Sequence, residues 1–296
     1  MAYGVNAPFG LRPISSITGG SWTEKVNEYY IYASPDGLTT YGTSIFTGDP
    51  VIFNTSSNDL ITGNRNLGGT IAIYNPEFTD GAPSTFSTVP LLGVFVGCEY
   101  TSVVNGTNNL IKSAFWPANT AVVPGSVIKA YVIDDPNVVY DIQVSTHIDA
   151  NANAFVASPT FPNANPNVAD NTVKAGGFGS NFALNIGGGT NFDTVINSYT
   201  TATGNTYANN PATGSTLTGQ SAFYLDVATP TGRGANLGHD YGKAVATLPL
   251  KVVGWTQHPN NIAATTLSQA FTPFLNVRVV INNHVYGHNA AGPVLA

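Results

Sequence analysis

Short hydrophobic runs bounded by Gly, Pro, Asn and Asp recur along this chain. The clearest is Val138 to Ser145, where Val138, Tyr140, Ile142 and Val144 share one face and Asp141, Gln143 and Ser145 take the other. This period of two predicts a half-buried strand. Val127 to Ile133 precedes it, and Asp134-Asp135-Pro136-Asn137 joins the two. An Asp carboxylate can reach nearby backbone amides and a following Pro presets φ, so the segment predicts a tight turn and the whole a β-hairpin.

Further strand-like runs are Glu28 to Ala33, Ser44 to Asn54, Leu91 to Tyr100 and Ile111 to Trp116, then Ala222 to Val227, Leu248 to Trp255 and Phe274 to Tyr286. Their spacing predicts an all-β fold, a sandwich or barrel-like core of short antiparallel strands. One segment, Asn261 to Phe271, is predicted to hold a short helix. No fixed-period repeat is present.

Three segments fall outside the core pattern. Residues 1–25 mix Asn6, Pro8, Gly10, Pro13 and Gly19-Gly20, which neither propagate a helix nor suit a central strand, and predict an extended N-terminal arm. The apolar residues Phe9, Leu11, Ile14, Ile17 and Trp22 cluster there in a stretch too short to bury them alone. Together with Asn6, Pro8 and Arg12 they are the candidate contacts to a neighbouring chain. The core, residues 26–287, is interrupted at about 149–220 by a loop-rich insertion of Asn, Ala, Gly and Thr, and residues 288–296 form a tail.

Composition narrows the class. Charged residues are 9% of the 296, against roughly 25% in typical soluble domains, and Asn, Thr, Ser and Gly fill the polar positions. Four Glu and ten Lys plus Arg leave little material for exposed helices. A net charge of −6 with scattered basic residues argues against a nucleic-acid partner, which clustered Lys and Arg would serve. No signal peptide is visible at the start, and the longest apolar stretch, Val89 to Val96, is far too short to span a bilayer, so no membrane partner is expected. Asn54-Thr55-Ser56 and Asn105-Gly106-Thr107 match the glycosylation pattern and read as polar loops.

Candidate chemistry is sparse. Cys98 is the only cysteine, so no internal disulfide or thiolate metal site can form, and its apolar setting predicts a small core residue. Asp134-Asp135 is explained by the turn. His284 and His288 are four apart in a segment that reads as a strand, where that separation spans roughly 13 Å, too far for two ligands of one zinc ion. There is no Gly-x-Ser-x-Gly elbow, and Gly187-Gly188-Gly189 lacks the Lys of a phosphate loop. No catalytic residue, metal or cofactor is expected.

The opening Asn6-Ala7-Pro8-Phe9-Gly10-Leu11-Arg12-Pro13 resembles the start of a group of tailed-phage virion proteins of the type found in phages of aquatic bacteria. Four later stretches add to the resemblance in the same order: Gly48-Asp49-Pro50-Val51, Leu91 to Phe95, Tyr131 to Pro136 with Val139 to Gln143, and Val277 to His284. The resemblance implies a capsid-associated structural protein without enzymatic activity. The tailed-phage coat fold carries a long spine helix, whereas the longest span here without Gly or Pro, Asn137 to Ser158, begins as a period-two strand. The reading is therefore a decoration (cement) protein on the outer capsid surface of the virion. Its expected partners are the major capsid protein and further copies of itself, as a trimer. The alternatives are the major capsid protein itself or a fibre or tail component, and after those a glycan-binding module or an enzyme.

Overall fold

A computed structural model describes residues 8–54, 69–74, 89–143, 148–149, 154–155, 181–186, 214–226, 248–256 and 276–287. These residues are all-β and contain no helix. In chain order the strands are β1 (Arg12–Ser16), β2 (Asn27–Ile31), β3 (Ile45–Phe46), β4 (Pro50–Phe53), β5 (Ile71–Ile73) and β6 (Gly93–Val104). They continue with β7 (Thr107–Ser113), β8 (Phe115–Trp116), β9 (Ile128–Ile133), β10 (Val138–Gln143), β11 (Ile148–Asp149) and β12 (Ala154–Phe155). The last are β13 (Asn181–Ile186), β14 (Gly214–Ser215), β15 (Gln220–Ser221), β16 (Phe223–Asp226), β17 (Leu250–Trp255) and β18 (Asn276–Ile281).

β3-β8, β11-β12 and β14-β15 form separate two-stranded pairs, and two six-stranded sheets organise the rest. One runs β2-β9-β6-β4-β5, with β7 also paired to β6, and every named pairing is antiparallel. Its two edges meet, because Tyr30 of β2 forms a parallel bridge to Thr70, next to β5, and its N–H reaches the Gly69 carbonyl at 3.4 Å. The sheet is a small barrel. Tyr29, Ile31, Val51, Ile71, Phe95, Cys98, Ile128 and Val132 share with Trp116 one of the two cores formed by the described residues. The second sheet runs β1-β10-β18-β17-β13-β16. Its core face carries Tyr140, Ile142, Phe182, Leu184, Leu250, Val277 and Val279, and packs against Val94, Leu91 and Ile133 of the barrel side.

Neighbouring residues of one strand thus serve different cores. On β6, Val94 belongs to the inter-sheet core and Phe95 to the barrel; on β9, Val132 belongs to the barrel and Ile133 to the inter-sheet core. A strand sandwiched this way must be apolar on both faces, which is why Leu91 to Tyr100 reads as a continuous hydrophobic run. A register shift between Phe95 and Gly97, a β-bulge, keeps both Phe95 and Cys98 in the same core although they are three apart.

Several expectations change. The strands β9 and β10 exist, but they do not form a hairpin: β9 lies between β2 and β6, and β10 between β1 and β18. The turn itself is as expected, with the Asp135 carboxylate accepting the Asn137 N–H at 2.9 Å and the Asp135 carbonyl accepting the Val138 N–H at 3.2 Å. It carries the chain from one sheet to the other. Turn chemistry is local, whereas the choice between hairpin and sheet-crossing arch is made by the distant partners that occupy both edges of each strand. For the same reason β10 is buried along its whole length and not half-buried.

Residues 1–25 are not a free arm where they are described. Arg12–Ser16 is an edge strand of the chain's own sheet, pairing Arg12 with Asp141 and Ser16 with Val138. The insertion at about 149–220 is not loop alone: β13 lies inside the second sheet between β17 and β16. The polar segment Asn105-Gly106-Thr107 is the tip of a hairpin, with Asn105 and Gly106 as its exposed two-residue turn. Asn105 and Gly106 have φ of 53° and 76°, and Val104 pairs with Thr107 across them, as a two-residue type I′ turn requires. The run from Phe274 ends as a strand at Ile281, before His284. The predicted helix Asn261 to Phe271 and residue His288 lie outside the described residues.

Candidate functional site

The N-terminal segment was the sequence candidate, and its residues part company. Phe9 and Leu11 are 3% and 1% exposed, with Leu11 in the inter-sheet core. The chain buries them itself, which corrects their assignment as contacts to a neighbour. Gly10 donates to the Phe223 carbonyl at 3.0 Å and Leu11 to the Gly48 carbonyl at 2.9 Å, so this stretch links edge strand β16 to edge strand β1. Arg12 lies 5.0 Å over the Phe9 ring and pairs with Asp141 at 3.0 Å. The other oxygen of this buried carboxylate accepts the Thr256 hydroxyl at 2.8 Å. Trp22 packs on the inter-sheet core, Pro8 and Ile14 are half-buried, and Ile17 remains exposed. Asn6 lies outside the described residues.

A different place gathers chemistry. An open groove of about 790 Å³ lies where β2 begins, β4 ends and the 134–137 turn leaves the barrel. The Asp134 carboxylate is held by β2: both oxygens accept from the Asn27 amide at 2.9 Å, and Oδ2 accepts the Tyr29 hydroxyl at 2.6 Å. The register Asn27↔Val132 delivers these partners to the residues just past β9. Because the single Tyr29 proton goes to Asp134, the Tyr286 hydroxyl 3.3 Å away is the donor to Tyr29. Burial, and after it the bond to Asp134, holds the Tyr29 phenol far above its ordinary pKa, so it stays a donor.

Aromatic rings complete the wall. Phe53 meets Tyr29 edge-on at 5.9 Å, and Tyr286 is 55% exposed. Tyr286 is fixed from behind, since its N–H donates to Nδ1 of His284 at 3.0 Å. That bond places the neutral imidazole proton on Nε2, which is buried without a partner among the described residues. Burial pushes the His284 pKa down to about 4, against the pull of Asp134 and Asp135. Lys25 and Glu28 flank the groove, and Glu28 is ion-paired with Lys129 at 3.3 Å. Among the described residues no three His, Cys, Asp or Glu side chains converge as metal ligands.

Of the groove residues the sequence singles out Asp134, Asp135, Pro136 and Asn137, as a turn. Asn27, Tyr29, Phe53 and Tyr286 come from three separate parts of the chain and carry no joint sequence signal. A third feature lies at the far end of β6. From Thr101 to Ile111 there is no charge, and Val103, Val104 and Leu110 on the β6–β7 hairpin are 53%, 45% and 62% exposed.

The described residues define an all-β protein whose two six-stranded sheets carry a polar and aromatic groove near one end of β6 and a neutral hairpin at the other. No family model, curated protein or solved structure matches the chain.

Proposed function

We propose that this chain is a decoration (cement) protein of a tailed-phage virion, binding the outer capsid surface and bridging subunits of the major capsid protein. The observation that carries the reading is the β6–β7 hairpin, uncharged from Thr101 to Ile111 and open on both faces with Val103, Val104 and Leu110. A rigid strand pair that leaves apolar side chains in water fits a binding element better than a solvated loop. Its base is anchored to the barrel, where Ile111 packs against the core, while Val103, Val104 and Leu110 stay outside it. The motif order that resembles tailed-phage virion proteins supports the same reading. Three copies sharing one capsid position raise effective affinity without new contacts, which suits a trimer.

Leu110→Asp tests the hairpin. Leu110 is 62% exposed, so the fold should keep its stability to within about 0.5 kcal/mol. Occupancy on capsids lacking the protein should drop sharply when the variant is added back. Full occupancy by the folded variant would remove the hairpin from the interface and take the main support from the reading.

A further inference from the structure

We propose that the groove bounded by Asn27, Tyr29, Phe53, Asp134, Asp135 and Tyr286 is a carbohydrate site that takes a neutral pyranose unit of a glycan. Its volume, about 790 Å³, lies within the roughly 300–1,000 Å³ of small-ligand sites. The lining selects the ligand class. Among the described residues of the lining, carboxylates Glu28, Asp134 and Asp135 outnumber the cation Lys25, which disfavours a phosphate or sulfate. A metal ion is disfavoured because the Asp134 oxygens already face the donors of Asn27 and Tyr29, which a metal would have to displace.

Sugar hydroxyls both donate and accept, and the groove offers both. A carboxylate has about four acceptor positions. Asp134 Oδ1 uses one of its two on Asn27, so it keeps one for a ligand hydroxyl. Asp135 uses Oδ1 on Asn137. The Asn27 carbonyl adds an acceptor and its amide a donor, and the Tyr286 oxygen accepts while its proton goes to Tyr29. The exposed face of Tyr286 and the Phe53 ring supply the apolar surface on which the C–H face of a pyranose packs. Asn27, Tyr29, Asp134 and Tyr286 form their network without a ligand, so little ordering is left to be done on binding.

The position gives the site a use. Val94 pairs with Ile133 beside the groove, and Val104 ends β6 at the hairpin, so the two features are about 30 Å apart along one strand. If the hairpin faces the capsid, the groove faces outward, where a particle meets surface glycans of cells or their surroundings. That orientation rests on the decoration reading, whereas sugar binding by the chain does not, so each can fail alone.

The test is saturation-transfer NMR on the full chain with maltotriose, chitotriose and lactose as probes, and a hexalysine peptide as the rival ligand. At least one sugar should receive saturation. Tyr286→Ala and Asn27→Ala, both at exposed positions, should each weaken its binding about fivefold, the loss expected for one stacking or hydrogen-bonding partner, while each variant keeps its cooperative unfolding transition and is fully folded at the temperature of the assay. Binding to none of the three sugars overturns the proposal, as does binding that both variants leave intact. Hexalysine binding that Tyr286→Ala abolishes, with no sugar bound, would reassign the groove to a basic protein segment.

Discussion

At the scale of single residues, two buried ionisable groups set opposite pH slopes. His284 has its pKa pushed down to about 4 from 6.5 by burial, so it is neutral in the fold. As the pH falls below about 6.5 the unfolded chain takes up a proton that the folded chain refuses until about 4. The stability present above that window is lost across it, by about 3 kcal/mol. Asp49 runs the other way. It is fully buried, its Oδ2 accepts the Phe46 N–H at 2.8 Å, and burial raises its pKa well above 3.8 despite that bond and one from Ser221. Its neutral form belongs to the fold, so its contribution is complete below the unfolded value and is lost as the pH rises through the folded one. Urea unfolding from pH 4 to 8 separates the two. His284→Asn should lose less stability than the parent between about pH 6.5 and 4, and Asp49→Asn should gain relative to the parent as the pH rises. A parent-like acid slope in His284→Asn would show that burial of the neutral imidazole is not its source.

At the scale of elements, strands were legible where both the pattern and the partners were local. Leu248 to Trp255 and Val127 to Ile133 contain β17 and β9, and Glu28 to Ala33 covers β2 but for its first residue, Asn27, because alternation or an unbroken apolar run is a property of the segment itself. Partner choice was not legible. β9 and β10 look like a hairpin in sequence, and only the completed sheets reveal that each has both edges filled by strands from elsewhere. β13 alternates Phe182 and Leu184 with Asn181, yet the surrounding Asn, Gly and Ala hid it inside an apparent loop. The groove was invisible for a related reason: it is made by register, which brings Asn27 and Tyr29 beside Asp134, and register is a long-range property.

The N-terminal link gives an element-scale prediction that compares two glycines of like backbone. Gly10 has φ of 72° and a Cβ there would collide with the Gly48 carbonyl and the Ser221 side chain. Gly106 has φ of 76° and open space around it. Gly106→Ala should therefore cost about 1–2 kcal/mol, the conformational penalty alone, and Gly10→Ala about 2–4 kcal/mol once overpacking is added. Thermal unfolding of both variants measures this. Equal losses would mean that the segment before β1 is not locked between β16 and the Gly48 turn.

At the scale of the whole molecule, the proposed decoration role requires a clamp whose contacts are largely uncharged. With 26 charged side chains, 10 basic and 16 acidic, in 296 residues, a large interface cannot be built mainly of ion pairs, and exposed pairs contribute only about 0–1 kcal/mol each. Buried area must supply the affinity, and a standard interface of roughly 1,600 Å² is sufficient for specific binding. A shell tied together this way opens only when these contacts break along with those between coat subunits. The most direct measurement is the temperature of DNA release from particles with and without the protein, repeated from about 0.05 to 1 M salt, over which the Debye length falls several-fold. The account predicts release at a higher temperature when the protein is bound, with the difference kept across the salt range; equal release temperatures would contradict the cement function, and steep salt-driven dissociation would contradict the neutral interface.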